Sequence, residues 1–286
     1  METWTFAVLV IIVVSIVVSA WKNIYFTLVA SVACTIVFAI QLIVYQQETY
    51  PNDWLSFHSH DIVDPANVHT VLTSMYAHAS LGHLMFNILG LALIGIAFEQ
   101  RIGTRPFILL YLISGLVGTL GFAAYYWNDQ TVGVLGASGA VSGILGGFAR
   151  LYPNERMFII FLPGVPMRAA YVVLVFVVLQ LFFLTGSNVA WQSHLAGLVA
   201  GILFAPLAVK VRSEVKIKRS VSVLALRKLA VTPELQGILR RIESEGVPDV
   251  RKAWIGHFMS KAKCPRCGAP VKVNGDLVRC DRGHIL

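Results

Sequence analysis

The chain alternates long apolar stretches with short polar ones. Seven stretches reach or approach the roughly 20 residues that a helix needs to cross a bilayer: about 4–20, 24–45, 82–100, 106–127, 136–151, 169–186 and 190–209. Runs such as Val8 to Val18 and Val172 to Leu184 are apolar on every face, so periodicity does not orient them. The fifth stretch is short and rich in glycine. Beyond residue 209 the pattern becomes that of a soluble helical region. Thr232-Pro233-Glu234 supplies a cap, a proline in the first turn and an acid at the positive end of a helix. Leu235, Ile238, Leu239 and Ile242 then form one stripe, which Gly246 ends. A second helix from about Pro248 carries Val250, Trp254 and Phe258.

Composition turns this pattern into an exclusion. Hydrophobic residues make up 56% of the chain and charged residues 13%, and the mean hydropathy is +0.70. Soluble domains carry roughly 25% charge, so neither a water-soluble globule nor a disordered chain fits. The net charge of +8 is unevenly placed. Residues 1–209 hold 6 Lys and Arg against 8 Asp and Glu, a net of −2, whereas residues 210–286 hold 17 against 7, a net of +10. A basic tail beside a membrane body is expected in the cytoplasm, where positive loops are retained. Arg150, Arg156, Arg168, Arg101, Arg105 and Lys22 then also fall inside. Segments 46–81, 128–135 and 187–189 fall outside, with Glu48, Asp53, Asp61, Asp64 and Asp129 but no Lys or Arg. The expectation is a multi-pass protein of the cell membrane with its N-terminus outside. Nucleic acid is not an expected partner. Val18-Ser19-Ala20 resembles a signal-peptidase site. Cleavage there would send the basic tail outside, so the first span is expected to be retained.

Polar residues inside spans are costly and mark function. His83 and Asn87 lie in the third span, Ser138 at the start of the fifth, and His194 near the start of the seventh. At 1.5 Å per residue they lie about 27, 21, 18 and 24 Å from the first cytoplasmic charge after each span. Taken singly, each has a bland reading: a serine bonded to its own helix, or a His or Asn joining two helices. Together, a nucleophile, a base and possible oxyanion donors share one layer. Gly139, Gly143 and Gly147 on one helix, and Gly197 and Gly201 on another, recur every fourth residue. That spacing lets helix backbones approach closely, which a Ser–His hydrogen bond between helices requires. Ser142, followed by Gly143, is a rival nucleophile. Ser138 ranks first because Gly136 and Gly139 flank it and the free amides of a helix start surround it.

The ordered motifs His78-x4-His83-x3-Asn87, Glu99-x-Arg101-x-Gly103, Gly136-x-Ser138-Gly139 and His194-x2-Gly197-x3-Gly201 resemble those of the rhomboid family of intramembrane serine proteases. The resemblance covers roughly residues 24–209. It implies an all-α polytopic membrane protein with a rhomboid-like six-helix bundle, here preceded by one extra transmembrane helix. It implies a serine endopeptidase with a Ser–His dyad: Ser138 as nucleophile, His194 as general base, and His83 and Asn87 with the Ser138 amide as oxyanion donors. No catalytic cofactor is implied. The implied substrates are single-span membrane proteins cut near their outer end, within the lipid bilayer. Glu99 and Arg101 would be structural, and His78 would help organise the outer loop. Two departures stand out. Family members commonly carry an aromatic residue four positions after the nucleophile, against the catalytic His, where this chain has Ser142. The Trp-Arg pair often seen in the first outer loop is absent, since that loop has no Arg.

The tail ends in Cys264-x2-Cys267-x12-Cys280-x3-His284. Paired ligands at this spacing close a tetrahedral zinc site with no open position, and the segment resembles a zinc ribbon with His in place of the last Cys. Structural zinc is expected, with an unmetallated or redox-active cluster as the alternative; the sequence leaves open whether the module binds a protein partner or only stabilises the tail. The domain reading is residues 1–22 an extra N-terminal helix, 23–209 the membrane core, 210–263 a basic helical cytoplasmic region and 264–286 the zinc-ribbon-like module. Three other functions make different demands on the sequence. A non-catalytic rhomboid-like chaperone would typically lack the Ser or the His. A transporter would show inverted repeats with matching broken helices. A metalloprotease using His58, His60, His69 or His78 would show His-Glu-x-x-His, which does not occur.

Overall fold

The protein is described from a computed structural model that covers residues 3–45, 54–159, 162–182, 189–217, 222–245, 248–274 and 277–285. It divides into two compact units, residues 1–210 and 211–286.

The first unit is helical. Helices α1 (Thr3–Lys22) and α2 (Phe26–Tyr45) are followed by a loop containing a 3₁₀ turn, Ser59–Ile62, and the short helix α3 (Thr70–Thr73). A third long segment comprises α4 (Leu81–Gly90), a π-helical turn at Leu91–Gly95, and α5 (Ile96–Ile102). Then come α6 (Thr104–Tyr125), α7 (Ser138–Leu151), α8 (Ala169–Phe182) and α9 (Trp191–Ile217). Among the described residues, five segments are long and apolar enough to cross a membrane: Trp4–Lys22, Phe26–Val44, Leu81–Ile102, Thr104–Tyr125 and Trp191–Val209. The remaining two expected spans appear as the 14-residue helices α7 and α8. Residues 183–186 of the sixth stretch, Glu48 and Asp53 of the outer loop, residues 187–188, and Gly246 lie outside the described residues. Helix α1 runs unbroken through Val18-Ser19-Ala20.

Burial supplies the orientation that the all-apolar runs withheld. Phe26, Phe98, Phe107, Tyr111 and Phe148 form an edge-to-face cluster at the centre, with ring centroids 5.2–6.4 Å apart. Phe6 and Val13 of α1, Leu93 of the π-helical turn, Leu109 of α6 and Leu203 of α9 are exposed instead, as lipid contact requires.

Three helices meet at small residues. A side chain at Gly197 would run into the Gly139 carbonyl, and one at Gly201 into the Gly143 carbonyl. One at Gly143 would strike Ser114 of α6. Helices α6, α7 and α9 therefore touch backbone to backbone or through a hydroxymethyl group.

Glu99, almost wholly buried, anchors another corner. Its Oε1 accepts from the Phe26 amide (2.6 Å), and its Oε2 accepts from the Thr27 amide (2.9 Å) and hydroxyl (2.7 Å). A carboxylate from α5 thus caps the free amides at the start of α2 and meets the positive end of its dipole. Next to it, Arg101 bonds Glu155 (2.6 Å) and lies over the Phe148 and Tyr152 rings. Gly103 ends α5 at φ +86°, a left-handed conformation that favours glycine. The Glu99-x-Arg101-x-Gly103 motif is thus one helix-end device.

Between α7 and α8 the chain forms an antiparallel hairpin, β1 (Arg156–Ile159) and β2 (Leu162–Arg168), that pairs Arg156 with Arg168. The apolar pattern gave no sign of it, because Pro163 and Pro166 argue against a strand except at an edge. A two-stranded hairpin consists only of edges.

The second unit holds α10 (Val223–Leu229), α11 (Pro233–Ser244), α12 (Pro248–Lys261) and the hairpin β3 (Val271–Asn274) with β4 (Leu277–Cys280). Thr232 caps α11 as expected, its hydroxyl accepting from the Leu235 amide at 3.3 Å. Leu226, Leu235, Ile238, Leu239, Ile242, Phe258 and Val278 make a separate core. Val250 departs from the expected stripe and is exposed, whereas Trp254 packs on that core under the Arg241 guanidinium.

Replacing Glu99 by Ala leaves two buried amides unpaired, at about 1–3 kcal/mol each. Thermal unfolding in detergent is expected at a clearly lower midpoint for Glu99→Ala, with Glu99→Gln intermediate. Equal midpoints for the parent and Glu99→Ala would refute the capping role.

Candidate active site

Ser138 is the first residue of α7, after Gly136 and Ala137. Gly136 has φ +125°, and a Cβ there would lie 2.7 Å from His83 Nε2. The glycine thus allows both the turn into α7 and the approach of the His83 ring. Its amide donates to the Ser74 carbonyl (2.8 Å), which ties the turn to the segment between α3 and α4. Helix α7 is about 21 Å long, so Ser138 is less than a bilayer's thickness from the other end of its helix.

Ser138 Oγ lies 2.7 Å from His194 Nε2, on α9. The opposite ring nitrogen, Nδ1, lies 3.1 Å from Gln180 Oε1, on α8. The Phe176 ring, one turn earlier on α8, has its centroid 6.3 Å from that of His194 at an interplanar angle of 41°. Ser142 Oγ donates to the Ser138 carbonyl at 2.7 Å. This is the back-bonding that lone serines in membrane helices adopt.

His83 and Asn87 lie on α4. The Ser80 hydroxyl caps that helix by accepting from the His83 amide (3.2 Å). Asn87 Nδ2 donates one hydrogen bond to the His83 carbonyl at 2.9 Å, which fixes its amide plane. The His78 ring packs edge-on against His83 at 5.1 Å. The His78 amide donates to Gln41 Oε1 (3.0 Å), and its Nδ1 lies 3.2 Å from the Tyr76 carbonyl oxygen. His58, His60 and His69 lie in the connection between α2 and α3. There His58 sits beside Asp61, and His60 packs on Trp127.

Ser138, His194, His83, Asn87, Ser142 and Phe176 line one cavity of about 640 Å³. None of its lining residues is Asp, Glu, Lys or Arg. Phe57 and Val134 join the α2–α3 connection to segment 128–135 through reciprocal 2.9 Å backbone hydrogen bonds, and Val134 is part of the cavity wall. The four residues singled out from the sequence thus converge, and the rival Ser142 is bonded elsewhere. Gln180 carries a signal that hydropathy averages away, because the run Val172 to Leu184 is otherwise uniformly apolar. Gln180 is the one amide in that run, and the rule applied to His83 and Asn87 also covers it.

In the second unit, ligand atoms of Cys264, Cys267, Cys280 and His284 all lie within 4.8 Å of one another. Cys267 Sγ is 3.7 Å from Cys280 Sγ, and His284 Nδ1 is 3.8 Å from Cys264 Sγ and 3.5 Å from Cys280 Sγ. A tetrahedron with Zn–S bonds of about 2.3 Å has S···S edges of about 3.8 Å, so the donor set fits such an ion. Burial raises the Cys264 thiol, but the Arg266 and Cys267 amides with the neighbouring thiols outweigh it and leave the group below its usual range. Cys280 is lowered likewise. At Cys267 the Ala269 amide is outweighed by burial and the neighbouring thiols, which raise the group, so the fit rests on the geometry of the four donors.

Comparison with known proteins agrees with the motifs. The family model described as Rhomboid domain matches residues 65–211. The putative rhomboid protease YdcA of Bacillus subtilis is 32% identical over 142 residues, 49% of this chain and 67% of that protein. The rhomboid protease GluP of the same organism is 31% identical over 165 residues, 56% of this chain and 30% of GluP. The rhomboid protease AarA of Providencia stuartii is 39% identical over 84 residues, 25% of this chain and 30% of AarA.

Gly136→Ala forces a side chain into left-handed backbone and against His83, at about 1–3 kcal/mol. Its thermal midpoint in detergent is expected well below that of the parent, and an unchanged midpoint would contradict the described turn.

Proposed function

The chain belongs to the rhomboid family, and from that premise we propose that this multi-pass membrane protein is an intramembrane serine endopeptidase with Ser138 and His194 as its dyad. The observation that carries the reading is the 2.7 Å contact between Ser138 Oγ and His194 Nε2 inside a cavity walled by His83 and Asn87.

Each step uses a group in that cavity. His194 Nε2 takes the Ser138 hydroxyl proton as Oγ bonds to the peptide carbonyl carbon, and the carbonyl π pair moves to oxygen. That oxyanion is held by the Ser138 amide at the free end of α7, by His83, and by the second Nδ2–H of Asn87. The protonated His194 then gives its proton to the leaving amine as the C–N bond breaks. Water repeats the cycle on the acyl-enzyme: His194 takes a water proton, hydroxide oxygen bonds to carbon, and Ser138 leaves with the proton restored. A cavity of about 640 Å³ supports access for that water, which hydrocarbon would otherwise deny.

The substrates proposed are single-span membrane proteins, cut where helix-weakening residues let the chain unwind into the cavity. The proposed orientation has the N-terminus and the cavity loops outside and the basic tail inside, from the distribution of Lys and Arg. Cys264, Cys267, Cys280 and His284 are proposed to hold a structural zinc ion. With four protein ligands it would cross-link the tail and offer no position for catalysis.

Purified parent in proteoliposomes is expected to cut a model transmembrane substrate, and Ser138→Ala and His194→Ala to lose at least about 10³-fold in rate. Cleavage by Ser138→Ala at the parent rate would end the dyad assignment. Separately, the full chain purified under reducing conditions should carry about one zinc per chain by elemental analysis, and Cys267→Ser much less. Equal zinc contents would remove the metal assignment, and loss of substrate cleavage on chelation would refute a purely structural metal.

A further inference from the structure

The contact at the far edge of the His194 ring extends the proposed dyad. Gln180 is 4% exposed and sits on α8, whose other described residues are apolar apart from Tyr171. A buried amide in such a helix needs a partner. Its side-chain oxygen faces His194 Nδ1 at 3.1 Å, while the opposite nitrogen faces Ser138 Oγ at 2.7 Å.

These two distances decide a tautomer. A neutral imidazole carries one proton and one lone pair on its two nitrogens. The carbonyl oxygen of Gln180 has no proton to give, so it is matched only by an Nδ1–H donor. The proton is then on Nδ1, and Nε2 presents its lone pair to the Ser138 hydroxyl. In the other tautomer Nε2 would carry the proton and could not accept one, and the Gln180 oxygen would face a lone pair. Phe176 lies one turn earlier on α8 and borders the same ring. One helix therefore supplies a ring neighbour and an acceptor, where Ser142 on α7 offers the ring no aromatic side chain.

We propose that Gln180 is a positioning residue that acts through His194: it accepts Nδ1–H, selects the Nε2 lone-pair tautomer, and fixes the ring plane toward Ser138. This rests on the reading of Ser138 and His194 as the dyad. The acceptor is an amide and not a carboxylate, and the cavity-lining residues include no Asp or Glu. An amide holds the tautomer without burying a negative charge at membrane depth. The cost is a weaker counterpart for the imidazolium that forms in each proton transfer.

The experiment compares the parent, Ser138→Ala, Gln180→Leu and Gln180→Glu in proteoliposomes, after thermal unfolding confirms that the variants fold. Leu keeps the volume and removes the acceptor, whereas Glu restores an oxygen acceptor whether ionised or protonated. Gln180→Leu is expected to lose kcat on the order of 10²-fold, the low end of what a positioned general base contributes. KM should stay within about twofold, because the ring is still present to line the cavity. Gln180→Glu should recover most of the lost kcat. Solid-state ¹⁵N spectra should show Nδ1–H as the dominant His194 tautomer in the parent and a mixture in Gln180→Leu.

Parent-like kcat in Gln180→Leu would overturn the proposal, and so would an equal loss in the Leu and Glu variants or an unchanged tautomer spectrum. If the parent itself leaves the substrate uncut, as Ser138→Ala is expected to do, the protease reading fails. The tautomer spectra then still decide whether Gln180 orients His194.

Discussion

The approach of α7 to α9 with no side chain between them is the constraint on which the membrane unit depends. A serine hydroxyl on one helix and an imidazole on another come within 2.7 Å only if the helix axes are unusually close. Gly197 and Gly201 allow this by abutting the carbonyls of Gly139 and Gly143. In lipid there is little hydrophobic drive between helices, so close packing and polar contacts must supply the association. Ser114 of α6 closes the same contact from the third side. Ser138 and His194 thus sit at the top of a rigid three-helix seam, and the cavity opens where that seam ends.

Three buried polar residues of the first unit show a common logic. Glu99 caps α2, Gln41 holds the His78 amide, and Gln180 meets the His194 ring. Each satisfies a backbone amide or a ring nitrogen that would otherwise be stranded in an apolar environment. Such contacts are worth more as positioning than as stability, because their geometry is directional where apolar packing is not. They tie down the start of α2, the segment at His78 and one edge of the His194 ring. The interior of a bundle made mostly of Leu, Val, Ala and Phe would otherwise leave those features loosely determined.

The second unit is built on different physics. Its core of Leu226, Leu235, Ile238, Leu239, Ile242 and Phe258 is small. A segment this short buries little apolar surface. The Cys264–Cys267–Cys280–His284 cluster is the feature that would compensate for it, by joining the β3–β4 hairpin to the end of α12.

Much of this was legible in the chain itself. The apolar stretches located the long helices of the first unit, though not the short α3 or the 3₁₀ turn at Ser59–Ile62, because membrane helices must be long and apolar regardless of their neighbours. His83, Asn87, Ser138 and His194 were visible because polar groups in such stretches are rare. The Thr232 cap and the Cys and His spacing were legible because those signals are local. Three things were not. The hairpin at 156–168 depends on strand pairing that its prolines obscure. The outward and inward faces of α8 depend on which helices surround it, so a lone Gln180 in an all-apolar run passed as background. The bond that withdraws Ser142 depends on rotamer and on its i−4 carbonyl. Sequence alone determined the long helices, the membrane class and most of the candidate groups, since these follow from hydropathy and spacing. Tertiary structure decided which ring edge meets which hydroxyl, because hydrogen bonds between helices are set by angstrom-scale approach that no pattern along one chain encodes.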